Sequence, residues 1–209
     1  MLKFGMARKP AWLAALVALG IVILIPGTVR GVQSAVLEKP ETVIAVDVAQ
    51  NMISFVPGQA PLHADGMPAY GNPFVIEGFL YPEGTLDASN GIVIRQDEAG
   101  NPIAEPEFPD KVIGRWTCRG WFVGDGLHTV DAPWAITTQL FAFGDGNGGD
   151  LLVSEGYEIP FGLDVTIHRA ITGGAGKFVT ARGEQVQRLV GINATQAANF
   201  RIEFRLARK

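Results

Sequence analysis

The sequence predicts an all-β protein of about eight or nine antiparallel strands. No segment after residue 34 keeps a helical hydrophobic period over several turns. Instead, short β-like runs recur between turns rich in glycine and proline, of which the chain has 26 and 13. The last run, NFRIEFRL at 199–206, alternates apolar and charged residues, so one face is expected to be buried and the other exposed to solvent. Such strands either pack as two sheets or close into a barrel, and closure removes the aggregation-prone edges.

The N-terminal segment predicts export or membrane attachment. Lys3, Arg8 and Lys9 precede an uncharged run at 11–29. A cleaved signal peptide ending at Ser34 is one alternative. A retained anchor is the other, because the run exceeds the usual signal-peptide core of about 7–15 residues and reaches the roughly 18 that can span a bilayer. Either alternative places the rest of the chain outside the cytoplasm, in the periplasm or medium, with an anchor holding it in the inner membrane.

The expected organisation is a leader at 1–34, a linker at 35–41 and one domain at 42–209. The leader holds four of the 17 basic residues and none of the acidic ones. The remainder has 13 basic against 21 acidic residues, a formal charge of −8, so nucleic acid is not an expected partner. Cys118 is the single cysteine, which excludes an internal disulfide and zinc sites built on cysteine pairs.

Within the domain, residues 42–48 predict a strand that is mostly apolar on both faces. Residues 50–73 are rich in proline and glycine and predict a long loop, a feature that is often functional in compact domains. Further strands are predicted at 74–81, 91–96, 112–123, 134–144, 151–159, 165–172, 177–189 and 199–206.

The stretch AITGGAGKFVTARGE at 170–184 has the glycines and lysine of a phosphate-binding loop. Such a loop needs Ser or Thr after its lysine and opens a helix, whereas Phe178 follows Lys177 between two β-like runs. The stretch therefore predicts a glycine hairpin, and no nucleotide or other cofactor is expected.

No metal site is predicted either. The glycine-rich GDGNGGD at 144–150 lacks the acidic residue that ends a calcium loop, so a solvated turn is expected. His63, His128 and His168 are not spaced as a metal motif. No Gly-x-Ser-x-Gly elbow indicates a serine hydrolase.

Asp47, Arg182 and Cys118 are the candidate site residues. A carboxylate within VIAVDVA must face water or be buried with a partner, and Arg182 can supply the opposite charge inside a barrel. The alternative is that both lie exposed on the outer face. Cys118, which alternates with Trp116 on one face of its run, is either a small buried hydrophobe or a reactive thiol.

The 170–184 stretch also resembles the Gly-Gly-Thr-Gly-Lys-Phe and Ala-Arg-Gly signature of plant dirigent proteins and the Val-Thr-Gly-Gly-Ser-Gly-x-Phe segment of allene oxide cyclases. FAFGD at 141–145 is similar to the cyclase Tyr-Phe-Gly-Asp, and FRIEFRL at 200–206 resembles the closing dirigent strand. The resemblance spans 42–206 and implies an eight-stranded antiparallel barrel with a hydrophobic cavity, commonly trimeric. The cyclases close an unsaturated fatty-acid epoxide, and dirigent proteins steer phenolic intermediates.

This resemblance implies that the barrel binds a lipophilic small molecule. If it is an enzyme, it resembles a cyclase or isomerase in which Asp47 and Arg182 are catalytic. Trp116, Cys118 and Phe141 are then expected to contact the substrate. The alternative is a non-enzymatic role, as a lipid- or pigment-binding protein or an accessory subunit of a membrane complex tethered by residues 11–29.

Overall fold

The structure is a computed structural model, and it describes residues 42–160 and 162–207. The predicted leader and linker, including the apolar run at 11–29, lie outside these residues. Within the described ranges, no helix has the length and apolar character needed to cross a membrane.

Eight antiparallel strands close into a barrel, as the resemblance implies. The strands are β1 Thr42–Pro57, β2 Pro73–Pro82, β3 Ile92–Gln96, β4 Pro102–Pro106, β5 Gly114–Phe122, β6 Ala135–Phe143, β7 Asp150–Glu158, β8 Thr166–Ala175, β9 Gly183–Ile192 and β10 Ala198–Leu206. Around the barrel the strands follow the order β1, β10, β9, β8, β7, β6, β5 and β2, and β2 returns to β1. A separate hairpin of β3 and β4 is inserted between β2 and β5.

Apolar side chains at alternate positions of the strands fill the barrel interior. Val46 and Val48 of β1 pair with Ile202 and Phe200 of β10, and all four side chains belong to the interior apolar cluster. Because successive side chains of a strand point to opposite faces, Asp47 between the two valines points outward. The interior is close-packed beside β6, where the rings of Phe141 and Phe204 meet edge to face at 4.8 Å.

The β3–β4 hairpin and its flanking segments cover part of the outer wall. Ala49, Phe79 and Tyr81 point outward from β1 and β2 and pack with residues of this cover. The Tyr81 hydroxyl donates a 2.6 Å hydrogen bond to the carbonyl oxygen of Gly91, and burial raises the pKa of Tyr81 to about 12. The first barrel strands are therefore buried on both faces, which explains why β1 is apolar on both sides.

Two local predictions are wrong, and one predicted strand lies outside the barrel. Residues 50–57 extend β1 rather than opening a loop, and an irregularity in register between Asn51 and Val56 lets the strand continue. The run at 91–96 is a strand as predicted, but this strand, β3, lies outside the barrel wall. Residues 177–182 are a loop rather than a strand, because a short 3-10 helix at Gly176–Phe178 ends the pairing of β8.

The glycine-rich β8–β9 connection packs tightly against the β6–β7 connection. Gly176 has φ +59°, and a side chain there would meet the carbonyl oxygen of Gly149. Lys177 donates its backbone N–H to Asp150 Oδ1 at 2.9 Å, and its Nζ lies 3.0 Å from Oδ2. The glycines thus permit close approach of two loops, and the lysine joins them.

Candidate ligand-binding site

A cavity of about 200 Å³ lies at one end of the barrel, and we call it the barrel-end cavity. It is formed where β2 begins and where β5 and β7 end. Its walls are apolar except at Gln50 and Glu158. The lining side chains are Gln50, Met52, Phe55, Phe74, Ile76, Cys118, Phe122, Leu127, Trp134 and Glu158.

Four aromatic rings form one wall of the barrel-end cavity. Phe74 lies 4.9 Å from Phe122 and 5.9 Å from Phe55 between ring centroids, and Trp134 lies 5.7 Å from Phe122. Such tilted contacts are favourable for aromatic pairs, and the ring faces offer a surface for another aromatic or conjugated group. Each ring is contributed by a different strand end or loop, so the wall exists only once the barrel has closed.

Glu158, the last residue of β7, brings a carboxylate to this apolar cavity. Its side chain is 5% exposed, and its Oε1 lies 2.6 Å from Nη1 of Arg169, whose side chain is fully buried. Arg169 also donates to the Thr137 carbonyl oxygen at 2.9 Å and to Ser154 Oγ at 3.3 Å. The guanidinium is therefore fixed by β6 and β7, and it fixes the Glu158 carboxylate in turn.

A buried amide network continues from this ion pair into the barrel. Gln139 Nε2 donates to Glu158 Oε1 at 2.9 Å and to Gln187 Oε1 at 3.1 Å. Gln185 Nε2 donates to Gln139 Oε1 at 2.8 Å. Gln185 Oε1 is buried without a hydrogen-bond donor among the described residues. We call Glu158, Arg169 and these three glutamines the polar layer of the barrel interior.

The two oxygens of Glu158 differ in their surroundings. Oε1 accepts from Arg169, from Gln139 and, at 3.0 Å, from the Thr137 hydroxyl. Among the described residues, Oε2 accepts one weak hydrogen bond, from Gln187 Nε2 at 3.5 Å. Because a carboxylate oxygen has two lone pairs, Oε2 keeps capacity to accept a hydrogen bond or a proton from a ligand.

Cys118 lies in the wall of the barrel-end cavity between Ile76 of β2 and Gln139 of β6. Its side chain is buried, and this burial, with a smaller contribution from the negative charge of Glu158, raises the pKa of the thiol. Of the two alternatives from the sequence, the structure therefore favours the small buried hydrophobe over a reactive thiol.

We expect Cys118 to react at least about a hundredfold more slowly with Ellman's reagent in the folded protein than in protein unfolded in guanidinium chloride, at about pH 8. The raised pKa keeps the thiol protonated at this pH, and the cavity walls hinder access. Because the chain has one cysteine, the absorbance change reports this residue alone. Equal rates in the folded and unfolded protein would show an accessible thiolate and contradict the placement.

The remaining predicted substrate contacts lie deeper in the barrel. Trp116 and Phe141 face each other across the β5–β6 pair and are buried in the interior cluster, but they do not line the barrel-end cavity. Trp116 Nε1 finds no acceptor among the residues that the structure describes. Of the three predicted contacts, the structure therefore places Cys118 alone at the cavity.

Asp47 and Arg182 are not brought together, so their predicted pairing is wrong. Asp47 is fully buried on the outer wall, where Oδ1 accepts from Arg201 Nε at 2.9 Å and Oδ2 accepts the Leu86 N–H at 2.8 Å. Arg182 is exposed in the β8–β9 loop and donates to the carbonyl oxygen of Ala181. Neither lines the barrel-end cavity, and a catalytic role for them stays a prediction without support from this geometry.

Sequence reasoning missed Glu158, Arg169 and the buried glutamines. A signal was present, because polar residues occupy the apolar face of three runs. Arg169 lies between Ile167 and Ile171 at alternate positions of β8, and all three are buried. Gln139 likewise precedes Phe141 by two residues on β6. A polar residue on the buried face of a strand needs a partner inside the barrel, and this pattern points to the polar layer.

Two loops beside the barrel-end cavity also bring metal-ligating groups together. Ligand atoms of His63, Asp125 and His128 lie within 4.8 Å of one another, and we call these residues the histidine cluster. His63 belongs to the loop before β2, and the other two belong to the loop after β5. The sequence spacing of the histidines gave no indication of this approach.

Fold and site define an eight-stranded antiparallel barrel with an aromatic-lined cavity that holds a buried carboxylate. No protein-family model and no curated protein matches the chain. Among solved structures it is similar to the pterocarpan synthase dirigent protein PsPTS1, at 14% identity and a TM-score of 0.51, over 81% of this chain and 99% of that one. The predicted likeness to the allene oxide cyclase and dirigent barrels is thus confirmed for the fold.

Two further solved structures match with lower TM-scores. A pyocyanin demethylase has 14% identity and a TM-score of 0.48, over 79% of this chain and 100% of that one. The pterocarpan synthase dirigent protein GePTS1 has 15% identity and a TM-score of 0.47, over 80% and 86%.

Proposed function

We propose that this barrel binds a small aromatic or conjugated molecule in the barrel-end cavity and holds a polar hydrogen of that molecule on Glu158 Oε2. The observation that carries the proposal is the carboxylate of Glu158 at an otherwise largely apolar, aromatic-lined cavity. A few polar groups placed in an apolar concavity are typical of small-molecule sites. Dirigent-type neighbours share the fold, and the chemistry of the cavity supports a lipophilic ligand.

The volume of the cavity sets the expected size of the ligand. An apolar cavity of about 150 Å³ is known to accept benzene. The barrel-end cavity, at about 200 Å³, therefore suits one substituted ring, and a larger molecule would extend through the mouth beside Met52. Met52 is 42% exposed, so the ligand would meet solvent at this side chain.

The geometry also supports proton transfer as a candidate reaction. Arg169, Thr137 and Gln139 all donate to Oε1, which leaves Oε2 as the oxygen for a phenolic, enolic or activated C–H proton. An isomerase or cyclase acting on a conjugated substrate needs such a base and a shape that holds the substrate in one conformation. Glu158 thereby takes the role that the sequence suggested for Asp47, and Arg169, which does not line the cavity, supplies the opposite charge that was suggested for Arg182.

Filling the cavity tests this proposal. In the Leu127→Trp variant the larger ring occupies the barrel-end cavity, and we expect phenol to bind at least about tenfold more weakly than to the wild type, because about 1.4 kcal/mol of contact is lost. Binding is followed by isothermal titration calorimetry. Val130→Trp is the matched control, since Val130 is 79% exposed in the same loop and does not line the cavity.

Equal phenol affinity in wild type and Leu127→Trp would contradict the proposal, as would a wild type that binds no single-ring compound. Mass spectrometry of small molecules extracted from the purified protein gives the second test. Export, membrane attachment, a homotrimer and an accessory role in a membrane complex stay predictions.

A further inference from the structure

We propose that His63, Asp125 and His128 form a binding site for a divalent transition-metal ion such as Zn²⁺, at the rim of the barrel-end cavity. The three side chains come from two loops, and their ligand atoms lie within 4.8 Å of one another. Two imidazole nitrogens and a carboxylate oxygen are a ligand set that suits Zn²⁺ and its first-row neighbours.

The cluster requires only small adjustments to hold an ion. The rings of His63 and His128 are stacked, with centroids 4.1 Å apart and planes inclined by 18°. His63 Nε2 lies 3.9 Å from Asp125 Oδ1 and 3.1 Å from the Asp125 carbonyl oxygen, a contact that metal binding through Nε2 would replace. In a tetrahedral zinc site with metal–ligand distances of about 2.0–2.1 Å, two donors lie roughly 3.3 Å apart. Rotations of the exposed Asp125 and His128 side chains can supply the difference, whereas His63 is half-buried.

A second carboxylate already holds one of the rings. His128 Nε2 lies 2.9 Å from Asp65 Oδ2, and a carboxylate can only accept, so the imidazole donates this hydrogen bond. Partners of this kind fix the orientation and tautomer of metal-binding histidines. The negative charges of Asp65 and Asp125 also favour a cation between the loops.

A metal ion bound by the histidine cluster would also affect the barrel-end cavity, because the cluster lies beside a residue that lines it. Leu127, between Asp125 and His128, lines the barrel-end cavity, and its N–H donates to the Pro68 carbonyl oxygen at 3.0 Å. An ion bound by His63 from one loop and by Asp125 and His128 from the other would join both loops beside this residue. Metal binding would therefore hold the rim of the cavity closed.

Zinc titration of the full chain, stripped with EDTA, tests the site. We expect one Zn²⁺ per chain by isothermal titration calorimetry and a visible absorption band when Co²⁺ replaces it. His63→Gln and Asp125→Asn should each weaken Zn²⁺ binding by at least about tenfold. His168→Gln is the matched control, because His168 lies on β8 and pairs with Glu184 on the barrel wall.

Absence of stoichiometric Zn²⁺ binding by the wild type overturns the proposal. So does a His168→Gln variant that loses as much affinity as His63→Gln. Asp125 is 71% exposed in its side chain, so Asp125→Asn is expected to fold, and circular dichroism checks this for each variant. A rise in the thermal midpoint with Zn²⁺ in the wild type, absent in Asp125→Asn, supports the joining of the two loops.

Discussion

Replacing Arg169 with methionine is expected to lower the free energy of unfolding by about 3–5 kcal/mol, because it leaves Glu158 buried without its counter-charge. Both partners of the ion pair are buried, because the side chain of Arg169 is 0% exposed and that of Glu158 is 5% exposed. Methionine keeps most of the volume of arginine, so the loss reports charge and hydrogen bonding rather than a cavity. Urea unfolding followed by circular dichroism measures the effect.

Two variants control this experiment. Arg188→Met removes an exposed arginine from the neighbouring strand β9, and a change within about 0.5 kcal/mol is expected. Glu158→Gln with Arg169→Met removes both charges, and this double variant should regain part of the stability lost by Arg169→Met alone. If Arg169→Met costs no more than Arg188→Met, the ion pair does not contribute as we infer. If Arg169→Met fails to fold, the double variant tests the ion pair instead: a folded double variant supports the inference, and one that also fails to fold contradicts it.

The free-energy cost of burying the polar layer inside the barrel is itself an argument for function. Well-packed apolar residues in place of a buried ion pair are often neutral or stabilising, so stability alone does not require Glu158 and Arg169. Most other side chains of the barrel interior are apolar, and the simplest filling would continue that pattern. Ionisable groups buried beside a cavity are candidates for binding or catalysis on this physical ground.

The strands were predictable from the sequence because their determinants are local, whereas their closure into a barrel was implied by the resemblance to the dirigent and cyclase families. Strands β5, β6 and β10 alternate buried and less buried residues along nearly their whole length, and this period-two pattern is visible without a structure. The hairpin of β3 and β4 was harder to place, since its short strands carry few buried side chains. Nothing local in them indicates that they pack outside the barrel wall.

The site was predicted less well, and Asp47 shows why. The sequence left open whether the Asp47 carboxylate faces water or is buried with a partner, and because β1 is covered on both faces, burial did not distinguish inside from outside. Its partner, Arg201, lies directly opposite on β10. The histidine cluster depends on the contact of two loops at the barrel end, and this contact cannot be predicted from the spacing of the residues in the sequence.

The Glu158→Gln variant should lower the preference of the barrel for phenol over toluene by about tenfold. Phenol and toluene have nearly the same shape, but only phenol can donate a hydrogen bond. A hydrogen bond to a charged acceptor contributes roughly 1.5–3 kcal/mol, against about 0.5–1.5 kcal/mol for a neutral one. The difference of about 1.4 kcal/mol corresponds to tenfold in the affinity ratio. Calorimetric titration of both ligands into each protein gives the ratio.

Taking the ratio within each protein removes any general effect of the substitution on the cavity, because both ligands meet the same aromatic wall. Glu155→Gln is the matched control, since Glu155 is exposed on the same strand and points away from the cavity. Its ratio should equal that of the wild type. If Glu158→Gln binds both ligands as the wild type does, then Oε2 does not receive the ligand. Toluene affinity that is kept while the phenol preference falls would locate the polar contact at Glu158, and the aromatic wall would supply the remaining affinity.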